Sequence, residues 1–105
     1  IKLYSPILRQ IISKTKPELQ LSGEMHNFFE GLMNYRLVSS AGTLLKQGYI
    51  QASEDNYADF VVFQEQLTID PFPANTSDNG RLELYEVSMQ DGSEKVLLSV
   101  PLRFK

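Results

Sequence analysis

Ser22-Gly23-Glu24-Met25-His26-Asn27-Phe28-Phe29-Glu30-Gly31 lies between two runs of alternating apolar residues, Leu19 and Leu21 before it and Met33, Tyr35 and Leu37 after it. Alternation at period two marks a strand with one buried face. The decapeptide carries a glycine towards each end, several polar residues and two adjacent aromatics. It is too aromatic for an ordinary turn and too broken for one continuous ladder. It reads as the place where the chain leaves one sheet and enters another, with Gly23 and Gly31 permitting the change.

Working outward from that switch, strand-like segments recur along the chain. Residues 1–4 alternate until Ser5-Pro6, where proline removes a ladder donor. Residues 7–16 lie between Pro6 and Pro17 and contain Ile7, Leu8, Ile11 and Ile12 at nearly helical spacing. The Ile-Ile-Ser run is poor helix material, so irregular structure or a short strand is expected there. Strands are expected at 19–22, ending at Gly23, and at 32–39, with Met33, Tyr35 and Leu37 on one face and Asn34 and Arg36 on the other. Residues 39–42 read as a hairpin turn with Gly42 at positive φ. Residues 43–53 form a strand interrupted at Gly48, a bulge or a point of close packing. Glu54-Asp55-Asn56 is a polar turn.

The 60–70 run places Val61, Phe63, Leu67 and Ile69 on one face. Glu65 falls on that face too, so the alternation breaks mid-strand unless a bulge intervenes. The clearest loop is 71–80, which holds Pro71, Pro73 and Asn75-Thr76-Ser77-Asp78-Asn79-Gly80. A strand at 81–88 passes through Leu82 and Leu84, and Asp91-Gly92 signals a hairpin. In the last strand Val96, Leu98, Val100, Leu102 and Phe104 share the expected core face, and Pro101 argues for an edge position or a bulge. The total is about seven strands, the pattern of an all-β, two-sheet sandwich.

At 105 residues the chain, 1–105, has the length of a single domain able to bury a core without metals or disulfides. Charged residues make up 22% and hydrophobic residues 42%, which argues against disorder. The net charge of −3 and the scattered Lys and Arg leave no reason to expect a nucleic-acid partner. Cysteine is absent, which fits a cytoplasmic or an exported protein, and no apolar run reaches the roughly 20 residues of a membrane helix. The start at Ile1 rather than Met leads us to expect a fragment or mature region of a longer exported protein. Any membrane attachment would then come from a signal peptide or lipid anchor upstream.

Catalytic chemistry has little to stand on. His26 is the only histidine, so a metal enzyme would have to complete its site with loop carboxylates. A structural or solvent-facing histidine, titrating near pH 6.5, needs fewer assumptions. Serine or thiol nucleophiles lack their usual partners in a chain with one histidine and no cysteine. Glu54-Asp55 and Asp78 could suggest calcium, but the EF-hand spacing is absent and turn chemistry accounts for them. Asn75-Thr76-Ser77 fits the N-glycosylation pattern, which matters only in a eukaryotic secreted protein. We therefore expect no cofactor and no metal.

The adjacent aromatics are the local signal for binding. Neighbours on a strand point to opposite faces, so Phe29, by parity with Met33, Tyr35 and Leu37, is expected inside. Phe28, with His26 and Asn27, is expected on the rim of a partner-binding surface, where an exposed aromatic suits sugar stacking or protein docking. The alternative is that both aromatics plug the end of the sandwich. A third reading is a protease inhibitor presenting the 71–80 loop.

With these residues in place, the chain resembles a known family, the immunoglobulin-like domain of bacterial spore germination. The likeness is carried in order by Ser5-Pro6, Leu21-Ser22-Gly23, and Phe29-Glu30-Gly31 leading into Tyr35-Arg36-Leu37. Phe63 with Leu67 and Ile69 follows, and then Ser88-Met89-Gln90-Asp91-Gly92-Ser93 leading to Val100-Pro101-Leu102. The chain departs from the family at Val62, where a proline is frequent, and in the length of the 71–80 loop. The resemblance implies an immunoglobulin-like sandwich in a spore germination or sporulation protein of Gram-positive bacteria. Such proteins are commonly exported, as lipoproteins or beside a second germination-associated domain. It further implies an extracytoplasmic, non-enzymatic interaction module of the cell envelope or spore surface, whose partner is a protein or a cell-wall glycan. It brings no catalytic residues, and Gly23, Phe29, Glu30, Gly31, Asp91, Gly92 and Pro101 read as structural.

Overall fold

The computed structural model describes residues 2–25, 32–51, 61–88 and 90–105. They form eight strands and no helix: β1 (Lys2–Ser5), β2 (Gln10–Ile12), β3 (Glu18–Met25), β4 (Leu32–Ser39), β5 (Leu44–Gln51), β6 (Val61–Thr68), β7 (Asn79–Val87) and β8 (Glu94–Phe104). One sheet has the order β1-β3-β6 and the other β2-β8-β7-β4-β5. Every pairing is antiparallel except that of β2 with β8. The architecture is the expected two-sheet sandwich. The strand beyond the expected seven is β2, from the 7–16 segment that left irregular structure and a short strand open.

Period-two alternation builds the core. Leu19, Leu21, Phe63, Leu67 and Ile69 come from the three-stranded side, and Met33, Tyr35, Leu37, Leu82, Leu84, Leu102 and Phe104 from the other. The inner faces of two stacked sheets interdigitate in this way to make one apolar layer. Leu21, Met33, Leu82 and Leu84 are wholly buried. β3 and β4 belong to different sheets, so the chain does change sheets between Met25 and Leu32. Gly23, however, is not where β3 ends. It is paired with Leu3 on one side and Phe63 on the other, and the strand continues to Met25. The polar Ser22 and Glu24 simply occupy the outward positions of a strand that is central in its sheet.

Glu65 pairs with Leu21 in a register that runs unbroken from Glu18↔Thr68 to Met25↔Val61, so no bulge removes it from the core-facing row. It is exposed because β6 is the outer strand of its sheet among the described residues, where the row opens to solvent. A charge in that row also discourages edge-to-edge pairing. Gly48 is a point of close packing and not a bulge: it pairs in register with Tyr35, and a Cβ there would lie 2.6 Å from the Tyr35 hydroxyl. Burial raises the Tyr35 phenol above its ordinary pKa, and the Glu65 charge adds to the effect.

Two expectations for β8 are corrected. Val96 is exposed, not part of the core. The β7–β8 register shifts between Leu84↔Leu98 and Tyr85↔Val96, which places one extra residue in β8. One extra residue reverses every side chain beyond it, so Val96 joins Tyr85 on the outer face. Pro101 does not mark an edge strand, since β8 lies between β2 and β7. Its carbonyl accepts a 2.7 Å hydrogen bond from the Arg9 amide, one residue before β2 begins. A strand residue's N–H and C=O point to the same side, so the donor that proline lacks would face the start of this short neighbour and no β7 bond is lost.

The 71–80 loop is shorter and more firmly held than its composition suggests. Asn79 and Gly80 already belong to β7. Phe72 is buried against Phe104, and its amide donates to the Lys14 carbonyl at 2.9 Å. Lys14 Nζ donates to the Thr76 carbonyl at 2.9 Å and to Asp78 at 2.6 Å. The 39–42 turn forms with Gly42 at φ 90°, and Gly42 N–H donates to the Ser39 carbonyl at 2.9 Å.

Two exposed carboxyl groups sit below the usual range. Asp78 is lowered by the Lys14 hydrogen bond and charge, and Asp91 chiefly by the Ser93 backbone N–H, 2.9 Å from its Oδ1. A carboxyl whose pKa is depressed on folding adds stability above its unfolded pKa of about 3.9, and the gain is lost as pH falls through the folded value. The urea midpoint should therefore hold from about pH 7 to pH 5 and drop below about pH 4. Urea titrations of an Asp78→Asn, Asp91→Asn variant should show a shallower drop.

Candidate functional site

The expected partner-binding residues His26, Asn27 and Phe28, and with them Phe29, Glu30, Gly31 and the Glu54-Asp55-Asn56 turn, lie outside the described residues. What the described strands fix is the frame that carries them. Met25 pairs with Val61, Leu32 with Gln51, and Val87 with Glu94. These ends lie together, because the opposite ends are joined through the Lys14 links to the 71–80 loop. The 26–31 connection and the 88–93 hairpin therefore leave the same end of the sandwich. In that hairpin Gly92 has φ 73°, and Ser88 and Ser93 close it with a 2.8 Å backbone bond. A left-handed residue at this position favours glycine, which has no Cβ to clash.

Next to this end, on the outer face of the five-stranded sheet, registered neighbours put Tyr49, Asn34, Tyr85 and Val96 in one row and Gln47, Arg36, Glu83 and Ser99 in the next. Arg36 is the hub. Its Nε donates to Glu83 Oε1 at 2.9 Å, and its Nη1 donates to both Glu94 oxygens at 3.1 and 3.2 Å. The guanidinium carbon stands 4.4 Å from the centre of the Tyr85 ring, which is buried beneath it. Hydrogen bonds donated to both carboxylates, Glu83 foremost, raise the Arg36 pKa and hold the charge in place. Fork-shaped donation to carboxylates combined with stacking on an aromatic face is the use to which arginine is better suited than lysine. The cluster ties β4, β7 and β8 together and leaves a rigid polar patch.

Apolar side chains rim that patch. Tyr49 is 63% exposed, Val96 45% and Val87 43%. All three lie towards the end from which the 26–31 connection departs. Exposed aromatic and aliphatic groups around a fixed arginine offer docking area with little side-chain freedom left to lose. Among the described residues no three His, Asp or Glu come together as metal ligands.

The sequence gives Tyr49 no role, and it gives Arg36 an outward strand position and a place in the Tyr35-Arg36-Leu37 likeness but no partner. The signal that could have found the cluster was Glu83, a second outward charge in a neighbouring strand, but pairing them needs the β4–β7 register.

A sequence profile of the immunoglobulin-like domain of bacterial spore germination matches residues 1–93, ending one residue before β8 begins. No curated protein and no solved structure matches the chain.

Proposed function

The chain belongs to the immunoglobulin-like domain family of bacterial spore germination, and on that premise we propose that it is a non-enzymatic, extracytoplasmic interaction module. It would act within a cell-envelope or spore-associated protein, one that can be lipid-anchored, and bind a protein or cell-wall glycan. The observation that carries this reading is the continuity of two features. The strand ends at Met25 and Leu32 and the Val87–Glu94 pair adjoin the exposed Tyr49, Val87 and Val96 around Arg36. Core positions are spent on packing, whereas these residues are large, apolar and outward and lie together beside polar groups, as the apolar patches of interaction sites do.

Tyr49→Ala should leave the urea midpoint nearly unchanged, because the side chain is 63% exposed, and should weaken retention on envelope fractions several-fold, as loss of an aromatic anchor does. Phe28→Ala should act on retention in the same direction. Co-sedimentation with purified cell-wall glycan, run beside affinity capture of envelope proteins, separates the two partner classes. Retention unaffected by either change would exclude this surface.

A further inference from the structure

At the opposite end of the molecule from the surface just described, we propose that the groove over Pro101, between Arg9 and Arg103, binds the carboxylates of an extended acidic peptide segment. Arg9 occupies the left-handed region at φ 60°, the one non-glycine residue to do so among those described. Its turn is fixed on both sides, Gln10 N–H donating to the Ile7 carbonyl and Ile7 N–H to Gln10 Oε1, each at 3.1 Å. A residue with a Cβ persists in that conformation only where its surroundings impose it, and such residues gather at ligand-binding positions. Here the 2.7 Å bond from the Arg9 amide to the Pro101 carbonyl holds the arginine beside β8.

Arg103 stands next along β8 on the outer face, registered with Ile11 on one side and Asn79 on the other. A cleft of about 310 Å³ has Arg9, Pro101 and Arg103 in its walls. A second cleft, of about 260 Å³, shares Arg103 and adds Ile11 and Lys105. None of Arg9, Arg103 and Lys105 has a hydrogen-bonded carboxylate among the described residues. The acid that borders the second cleft, Asp78, is hydrogen-bonded by Lys14 at 2.6 Å and feels the Arg103 charge only through space, without a hydrogen bond to it. The chain as a whole carries −3, yet three of its ten basic residues, Arg9, Arg103 and Lys105, line these two clefts.

Ile7, Leu8 and Ile11 beside the groove are 65%, 67% and 57% exposed. Guanidinium forks match carboxylates in shape as well as charge. Two such forks set on either side of a proline, flanked by bare aliphatic side chains, suit a chain that alternates carboxylate and apolar groups. A small free anion would leave the aliphatic part unused, and a membrane surface could not enter the clefts.

Fluorescence anisotropy with a labelled peptide alternating glutamate and valine, and with its glutamine–valine counterpart, tests this. Arg9→Gly is the informative variant, because glycine adopts φ 60° without strain and the change should keep or raise thermal stability while removing the fork. The glutamate peptide should bind saturably and its counterpart should not. Arg9→Gly and Arg103→Gln should each weaken binding about tenfold, as loss of a charged hydrogen-bond partner does. Lys95→Gln, at the far end of β8, should leave it unchanged. Equal binding of the two peptides, no binding of either, or an equal loss with Lys95→Gln would overturn the assignment. So would binding to phosphatidylglycerol vesicles in place of the peptide.

Discussion

Phe104→Ala is expected to lower the folding free energy by about 3–5 kcal/mol, the range for truncating a buried aromatic. Phe104 closes the core where β8 ends: it is 2% exposed, and its ring meets that of Phe72 edge-on with centroids 4.9 Å apart. The backbone around it is pinned as well, since the Phe104 amide donates to the Asp78 carbonyl at 2.7 Å and the Lys105 amide to that of Ile12 at 2.9 Å. The chain cannot easily collapse into the space that alanine leaves, which puts the cost towards the upper part of the range. A loss of this size is a large share of the roughly 5–15 kcal/mol that holds a domain folded. Urea denaturation measures it, and a loss under about 1 kcal/mol would mean that the β8 register is wrong.

The second large effect is expected at Gly80. This residue pairs with Ser39 of β4 and Leu102 of β8, and a Cβ there would lie 2.5 Å from the Val38 carbonyl oxygen and against the tip of the Phe104 ring. The ring could turn, but the carbonyl belongs to a central ladder and cannot. Gly80→Ala should therefore cost about 1–3 kcal/mol by overpacking, and Gly80→Val more. Part of that cost should vanish when Phe104 is already alanine. Denaturation of the two single variants and the double variant would then show non-additivity, as expected of residues in contact.

How much of this was readable in the residues follows from what period two can and cannot tell. Met33, Tyr35 and Leu37 are buried as their alternation indicates, and so are Leu82, Leu84, Val100, Leu102 and Phe104. The sheet change after β3 was legible because no single ladder could contain the 22–31 stretch. The misplacement of Val96 has one cause: an inserted residue leaves the local pattern apolar while reversing the face, and only the partner strand reveals it. Pro101 misled in a similar way, since proline excludes a donor on one side of a strand but does not say whether the neighbour there is absent or merely short. The Arg36 cluster unites residues 36, 83, 85 and 94: alternation places the first three outward one by one without showing that they meet, and Glu94 joins them only because the extra residue in β8 reverses its face. The Arg9 conformation left no trace in composition, because its cause is the turn that joins β1 to β2.

The central claim, that the outer sheet face beside the 26–31 connection engages a partner outside the cytoplasm, is tested most directly by photo-cross-linking in living cells. A benzoylphenylalanine in place of Tyr49 in the full-length protein should give one discrete adduct with an envelope component, competed away by the isolated domain. The same probe in place of Gln64, exposed on β6 of the other sheet, should give none. No adduct at Tyr49, adducts of equal yield at both positions, or an adduct with a cytoplasmic protein would contradict the account.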